Sequence, residues 1–103
     1  MIARRVLTLC LLVAQALAAQ AAPAVTARYA CSDGSRLTAT FSPPGAADGS
    51  VALRPAGSRR AMKLPQVLSA DGGRYALGDR EFWIKGNAAT YRRGGHAVTC
   101  ETP

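Results

Sequence analysis

The sequence predicts an all-β domain, a small antiparallel barrel or sandwich of eight short strands behind an N-terminal export segment. Three observations lead there. Turn signals built on Gly, Pro, Asp and Asn recur at about eight- to twelve-residue spacing from Ser32 onward, the rhythm of consecutive short strands. No helical period follows residue 21. Two cysteines, Cys31 and Cys100, stand near the two ends of the chain that remains once that segment is set aside.

The first 21 residues read as a signal peptide. Arg4 and Arg5 form a basic start, and Val6 to Val13 is an apolar run. Small residues around Ala18, Ala21 and Ala22 offer cleavage sites after each of the three. The run is short of the roughly 20 residues that a spanning helix needs, and Gln15 interrupts its end. An uncleaved segment would be a membrane anchor. Lipid attachment at Cys10 is disfavoured, because bulky Leu9 precedes it where a small residue is wanted. Residues 22–103 are then the exported domain, periplasmic or secreted.

Ala27 to Cys31 predicts the first strand, ended by the turn Ser32-Asp33-Gly34-Ser35. Arg36 to Phe41 is the clearest strand. Leu37, Ala39 and Phe41 alternate with Arg36, Thr38 and Thr40. Pro43 and Pro44 open a loop that runs to Gly49. Ser50 to Arg54 puts Val51 and Leu53 on one face. Arg59 to Leu64 is the fourth expected strand, and Pro65 to Ser69 is ambiguous. Beyond the turn Asp71-Gly72-Gly73, Arg74 to Leu77 and Arg80 to Lys85 flank Gly78-Asp79, a two-residue hairpin signal. Phe82 and Ile84 share one face of the sixth strand; Glu81, Trp83 and Lys85 share the other. Ala88 to Arg92 and His96 to Glu101 complete the set, turned by Gly86-Asn87 and Gly94-Gly95.

At 103 residues the chain holds one domain. Its apolar 49% is rich in Ala and its aromatics are only 6%, so the core is thin. A covalent staple is the expected remedy. In an oxidising compartment Cys31 and Cys100 read as a disulfide. Closing so long a loop is worth about 4 kcal/mol in the chain-entropy model.

The full chain carries 13 Lys and Arg against 6 Asp and Glu, a net +7. Losing Arg4 and Arg5 leaves eleven against six, a net +5. A basic exported domain meets anionic envelope polymers or proteins rather than nucleic acid, for which no aromatic-interleaved basic motif is present. No catalytic set is visible. His96 is the only histidine and has no flanking carboxylate. Asp33, Asp48, Asp71 and Asp79 each sit beside Gly, where turn chemistry accounts for them. Two distant cysteines and one histidine match no metal-ligand spacing, so neither metal nor cofactor is expected. Arg59-Arg60 and Arg92-Arg93 read as solvated faces. Lys85 stands apart, ending an aromatic strand immediately before Gly86, so its ammonium can project from a hairpin tip.

The stretch Ser69 to Tyr91 resembles the signature region of the bacterial inhibitors of c-type lysozyme, the MliC/PliC family. The matching residues are Ser69-Ala70, Gly72, Arg74-Tyr75, Gly78, Phe82-Trp83, Lys85-Gly86 and Ala89-Thr90, in order and without a gap. Tyr29-x-Cys31 and Cys100 are similar to the family's disulfide frame. The resemblance implies an eight-stranded antiparallel barrel, a non-enzymatic role and a c-type lysozyme as protein partner. It implies a binding site of Lys85, Asp71, Ser69, Gly72, Tyr75, Gly86 and Thr90, with Lys85 entering the lysozyme cleft. Asp71 departs from the family, whose serine occupies that position. A carboxylate there would meet a lysozyme carboxylate with repulsion of roughly 4 kcal/mol at a surface-like dielectric. The domain would act as a monomer or dimer. The competing reading is a basic barrel that binds anionic cell-wall or lipopolysaccharide groups through its arginines.

Overall fold

The computed structural model describes residues 23–43 and 48–103. The predicted signal peptide, its cleavage sites and Cys10 lie outside the described residues. Eight strands, β1 (Val25–Cys31), β2 (Arg36–Phe41), β3 (Ser50–Pro55), β4 (Met62–Val67), β5 (Gly73–Leu77), β6 (Arg80–Lys85), β7 (Ala88–Arg93) and β8 (His96–Glu101), run in chain order. Each pairs antiparallel with the next, and β1 pairs with β8 to close a barrel. Of the two architectures the strand pattern allowed, the barrel is the one formed.

Period-two alternation does the sorting. Leu37 and Ala39 of β2, Val51 and Leu53 of β3, Leu64 of β4, Phe82 of β6 and Ala89 and Tyr91 of β7 all point inward and are buried. Phe82 is wholly buried. Tyr29 meets its ring edge-on at 5.3 Å between centroids, and Tyr91 does so at 6.0 Å. An eight-stranded barrel is just wide enough to be filled this way. Burial raises the pKa of Tyr29 and Tyr75 above 10.0, since the phenolate would lose its water.

Three hairpins share one device. Gly78, Gly86 and Gly94 each take the first of two loop positions, with φ of 62°, 62° and 59°. Their neighbours Leu77↔Arg80, Lys85↔Ala88 and Arg93↔His96 are directly paired. A positive φ at that position matches the turn to the right-handed twist of the strands. The β1–β2 connection differs. Asp33 accepts from the Ser35 hydroxyl at 2.6 Å and from its N–H at 3.0 Å. The hydroxyl contact is the main reason its carboxyl is held below the usual carboxylate range.

The fourth strand lies three residues later than the sequence pattern places it. Ser58 Oγ accepts from Arg60 N–H at 3.1 Å and donates to Arg60 O at 3.3 Å, which holds Arg59 to Ala61 in a loop. The strand instead runs through Pro65. Gln66 N–H donates to Gly49 O at 2.9 Å, so alternate residues of β4 aim at β3 and Pro65 aims away from it. On that other side β5 pairs only with Gln66 and Val67. The missing proline donor therefore falls where no ladder exists. Smaller corrections extend β1 back to Val25, opposite Phe41, and start β5 at Gly73.

The closing seam is short. β1 and β8 share only Ala30↔Glu101 and Cys31↔Cys100, and the disulfide joins that last pair across 69 residues of sequence. Both cysteines are buried.

Candidate functional site

Strand direction alternates around the barrel, so the β2–β3, β4–β5 and β6–β7 connections share one end. The β4–β5 loop (68–72) and the Gly86-Asn87 turn meet there, and they bring most of the predicted site together.

Trp83 organises it. The side chain stands on the outer face of β6, between Arg74 of β5 and Thr90 of β7, its register partners. Its Nε1–H donates to the Asp71 carbonyl at 2.7 Å. Ser69 Oγ donates to the same carbonyl at 2.7 Å and accepts from Asp71 N–H at 3.2 Å. Two donors on one carbonyl lock the loop to the strand. The Ser69 hydroxyl is spent inside the loop and is not a free donor for a partner.

Lys85 is held lightly. Its Nζ lies 4.4 Å from the Trp83 ring centroid and 3.9 Å from Asp71 Oδ2. The lysine side chain is 57% exposed and the aspartate 74%. An exposed cation–π contact is worth about 0.5–1 kcal/mol and an exposed ion pair about 0–1 kcal/mol. Asp71 therefore steers the ammonium without trapping it. On the other flank Arg74 sits 5.2 Å from the Trp83 ring and donates from Nε to Glu81 at 2.6 Å. Arg92 Nε lies 3.7 Å from the second oxygen of Glu81. These pairs fix the base of the platform and leave Lys85 at its free edge.

Gly72 carries the loop past the strand. Its φ is 68°, and a Cβ there would collide with the Ile84 carbonyl oxygen. We expect Gly72→Ala to push the loop off β6, breaking the Trp83–Asp71 bond and costing more than about 1 kcal/mol. Tryptophan fluorescence and a melting curve read both effects; an unchanged emission maximum and Tm would refute it. Gly86 has open space around it, and only its positive φ requires glycine.

Tyr75 does not reach the site surface. Inward parity on β5 sends its ring into the core, 5.7 Å from Phe41, and it is 9% exposed. Thr90 is exposed beside Trp83 as expected. Sequence reasoning missed Trp83 itself as the platform, with Arg74 and Glu81 supporting it. Counting back from Gly78-Asp79 would have found them, because a two-residue turn places Arg74 opposite Trp83. Leu68 was also missed. It is 93% exposed, and it borders a hollow of about 390 Å³ shared with Gln66, Ser69 and Gly72.

Among the described residues no group of three or more His, Cys, Asp or Glu could hold a metal ion. The structure is a stapled β-meander barrel that presents an aromatic platform and a projecting ammonium at one end. This chain belongs to the MliC family, the membrane-bound lysozyme-inhibitors of c-type lysozyme, whose model matches residues 29–99. It is 34% identical over 62 residues to the membrane-bound lysozyme inhibitor of C-type lysozyme of Pseudomonas aeruginosa, strain PAO1. That match covers 60% of this chain and 47% of the relative, so the chain spans about half the length of the curated relative it matches. The fold is similar to the crystal structure of Pseudomonas aeruginosa MliC in complex with hen egg white lysozyme. The TM-score is 0.64 at 25% identity, covering 84% of this chain and 90% of that one.

Proposed function

We infer that this protein is an exported inhibitor of c-type lysozyme, acting without catalysis, and that Lys85 is the residue it inserts. The domain at work is 22–103, released by loss of residues 1–21 into the periplasm or the medium. The observation that carries the reading is Lys85 itself, its side chain 57% exposed at a hairpin tip and its ammonium braced on Trp83. Lysozyme cleaves with two carboxyl groups about 5 Å apart across the sugar bond. An ammonium between them makes charge-assisted hydrogen bonds where water is excluded, and it takes the space of the sugar. Leaving Trp83 and Asp71 forfeits at most about 2 kcal/mol of exposed contacts. Hydrogen bonds to charged groups are worth about 1.5–3 kcal/mol each, so two of them exceed that loss. Leu68, Gly72, Gly86 and Thr90 supply the surrounding contact surface. Ser69 and Asp71 act by shaping the loop, and Tyr75 by packing beneath it.

Asp71 tunes the strength. Its side chain is 74% exposed at the same tip, and its carboxylate would face the lysozyme carboxylates. We expect Asp71→Ser to tighten inhibition of hen egg white lysozyme about three- to tenfold, removing like-charge repulsion at the contact. Inhibition constants from wall-lysis assays measure it. Unchanged or weaker inhibition would mean that Asp71 makes a favourable contact. If the wild-type domain at micromolar concentration leaves lysis untouched, the functional reading itself is wrong.

A further inference from the structure

Charge is distributed unequally around the barrel. The three ion pairs among the described residues all lie on β5–β7 and the loop before β5, where Glu81 and Asp71 answer Arg74, Arg92 and Lys85. The opposite half is richer in cations, and its acids, Asp33 and Asp48, sit in the β1–β2 and β2–β3 connections rather than on the strands. Outward positions of β1 to β4 carry Arg28, Arg36, Arg54 and Lys63, all exposed, and no Asp or Glu. Arg59 and Arg60 add to them from the β3–β4 connection. Residues 1–22 and 44–47 contain no carboxylate either, so none is hidden there. Register sets Arg28, Thr38 and Arg54 in one row across three strands. That places the two guanidinium stems roughly 10 Å apart on one surface.

The same face holds a hollow of about 560 Å³ between Arg28 and Arg36. Ala30, Leu37, Ala56 and Pro103 line it, so its wall is chiefly apolar. Glu101 borders the β8 side and leaves the arginine side for an anion. A purely anionic glycan would find the cations here but nothing to fill an apolar hollow. An amphiphile satisfies both, with its phosphate at the arginines and its hydrocarbon in the hollow.

We propose that the outer face of β1–β4 docks on an anionic phospholipid bilayer. It lies across the barrel from Trp83 and Lys85. The domain can therefore rest on a membrane with its Lys85 tip facing away. This contact is independent of the lysozyme reading and of any N-terminal anchor.

The test uses residues 22–103, which contain every strand and both disulfide cysteines, so that the apolar start of the chain cannot bind lipid by itself. Co-sedimentation is measured with vesicles of phosphatidylglycerol mixed with phosphatidylcholine, and with pure phosphatidylcholine. The domain should partition onto the first and not the second, and high salt should release it. Each cation near such a surface contributes a factor of about five, so Arg28→Gln with Arg54→Gln should weaken partition about thirtyfold. Ala30→Asp, which puts a carboxylate in the hollow, should weaken it as well. Circular dichroism of each variant reports whether the barrel is intact. Equal binding to both vesicles, no binding to either, or binding untouched by the double substitution would overturn the proposal. So would retention on purified anionic wall glycan with none on phosphatidylglycerol vesicles.

Discussion

Lys85→Ala should raise the inhibition constant for hen egg white lysozyme about 30-fold or more while leaving the melting temperature unchanged. The two halves of that expectation have separate causes. Lys85 is 57% exposed, and its contacts to Trp83 and Asp71 are weak surface contacts, so the barrel loses little without it. In the complex the same ammonium would be dehydrated between two carboxyl groups. Truncating one partner of such a pair costs about 2–5 kcal/mol, partly because the other charge is left unpaired. Most of the loss should appear as faster dissociation. Lys85→Arg should recover only part of it, since a planar fork differs in size and reach from a compact ammonium. An alanine variant that inhibits as well as wild type would remove Lys85 from the mechanism and leave the surrounding surface to explain any inhibition.

Reduction of the disulfide, or Cys31→Ser with Cys100→Ser, should destabilise the domain by about 4 kcal/mol. That estimate follows from the 69-residue separation of the two cysteines. For a domain of this size it corresponds to a drop in Tm on the order of 20 °C. The effect is large relative to the stability that a domain with so small a core can hold. β1 and β8 share only two paired positions, so backbone hydrogen bonds alone hold the seam weakly. Thermal unfolding with and without reductant measures it. A shift of only a few degrees would mean that the strand ladders carry the seam unaided.

Much of the fold was legible because its local signals agree with one another. Leu37, Ala39 and Phe41 alternate cleanly, and the Gly78-Asp79, Gly86-Asn87 and Gly94-Gly95 turns each fix a register by their two-residue length. The fourth strand lies later than the alternation of Arg59 to Leu64 places it, and it runs through Pro65, in a segment the sequence leaves ambiguous. Tolerance of that proline depends on which side β5 fails to pair, a fact of the assembled barrel. At the site, the projection of Lys85 from a hairpin tip was legible from its position before Gly86, while its binding role rests on the resemblance alone. Tyr75 enters the expected site on resemblance alone, although a two-residue turn at Gly78-Asp79 pairs it with the buried Phe82 and so sends it inward. The approach of Asp71 to Lys85 and Trp83 was beyond local pattern. It depends on how the β4–β5 loop folds across β6, which residues within a single strand do not specify.

The order of the strands also bears on how the barrel is made. Seven of its eight seams join neighbours in sequence, and the three glycine hairpins are contacts of the shortest range. Such a meander can assemble strand by strand at little loop-closure cost, leaving only the β1–β8 seam to wait for distant partners. The bond between Cys31 and Cys100 is then best formed after the sheet has already curled. Oxidation would act as a latch on a nearly finished barrel, and the reduced chain would curl before any oxidant reached it.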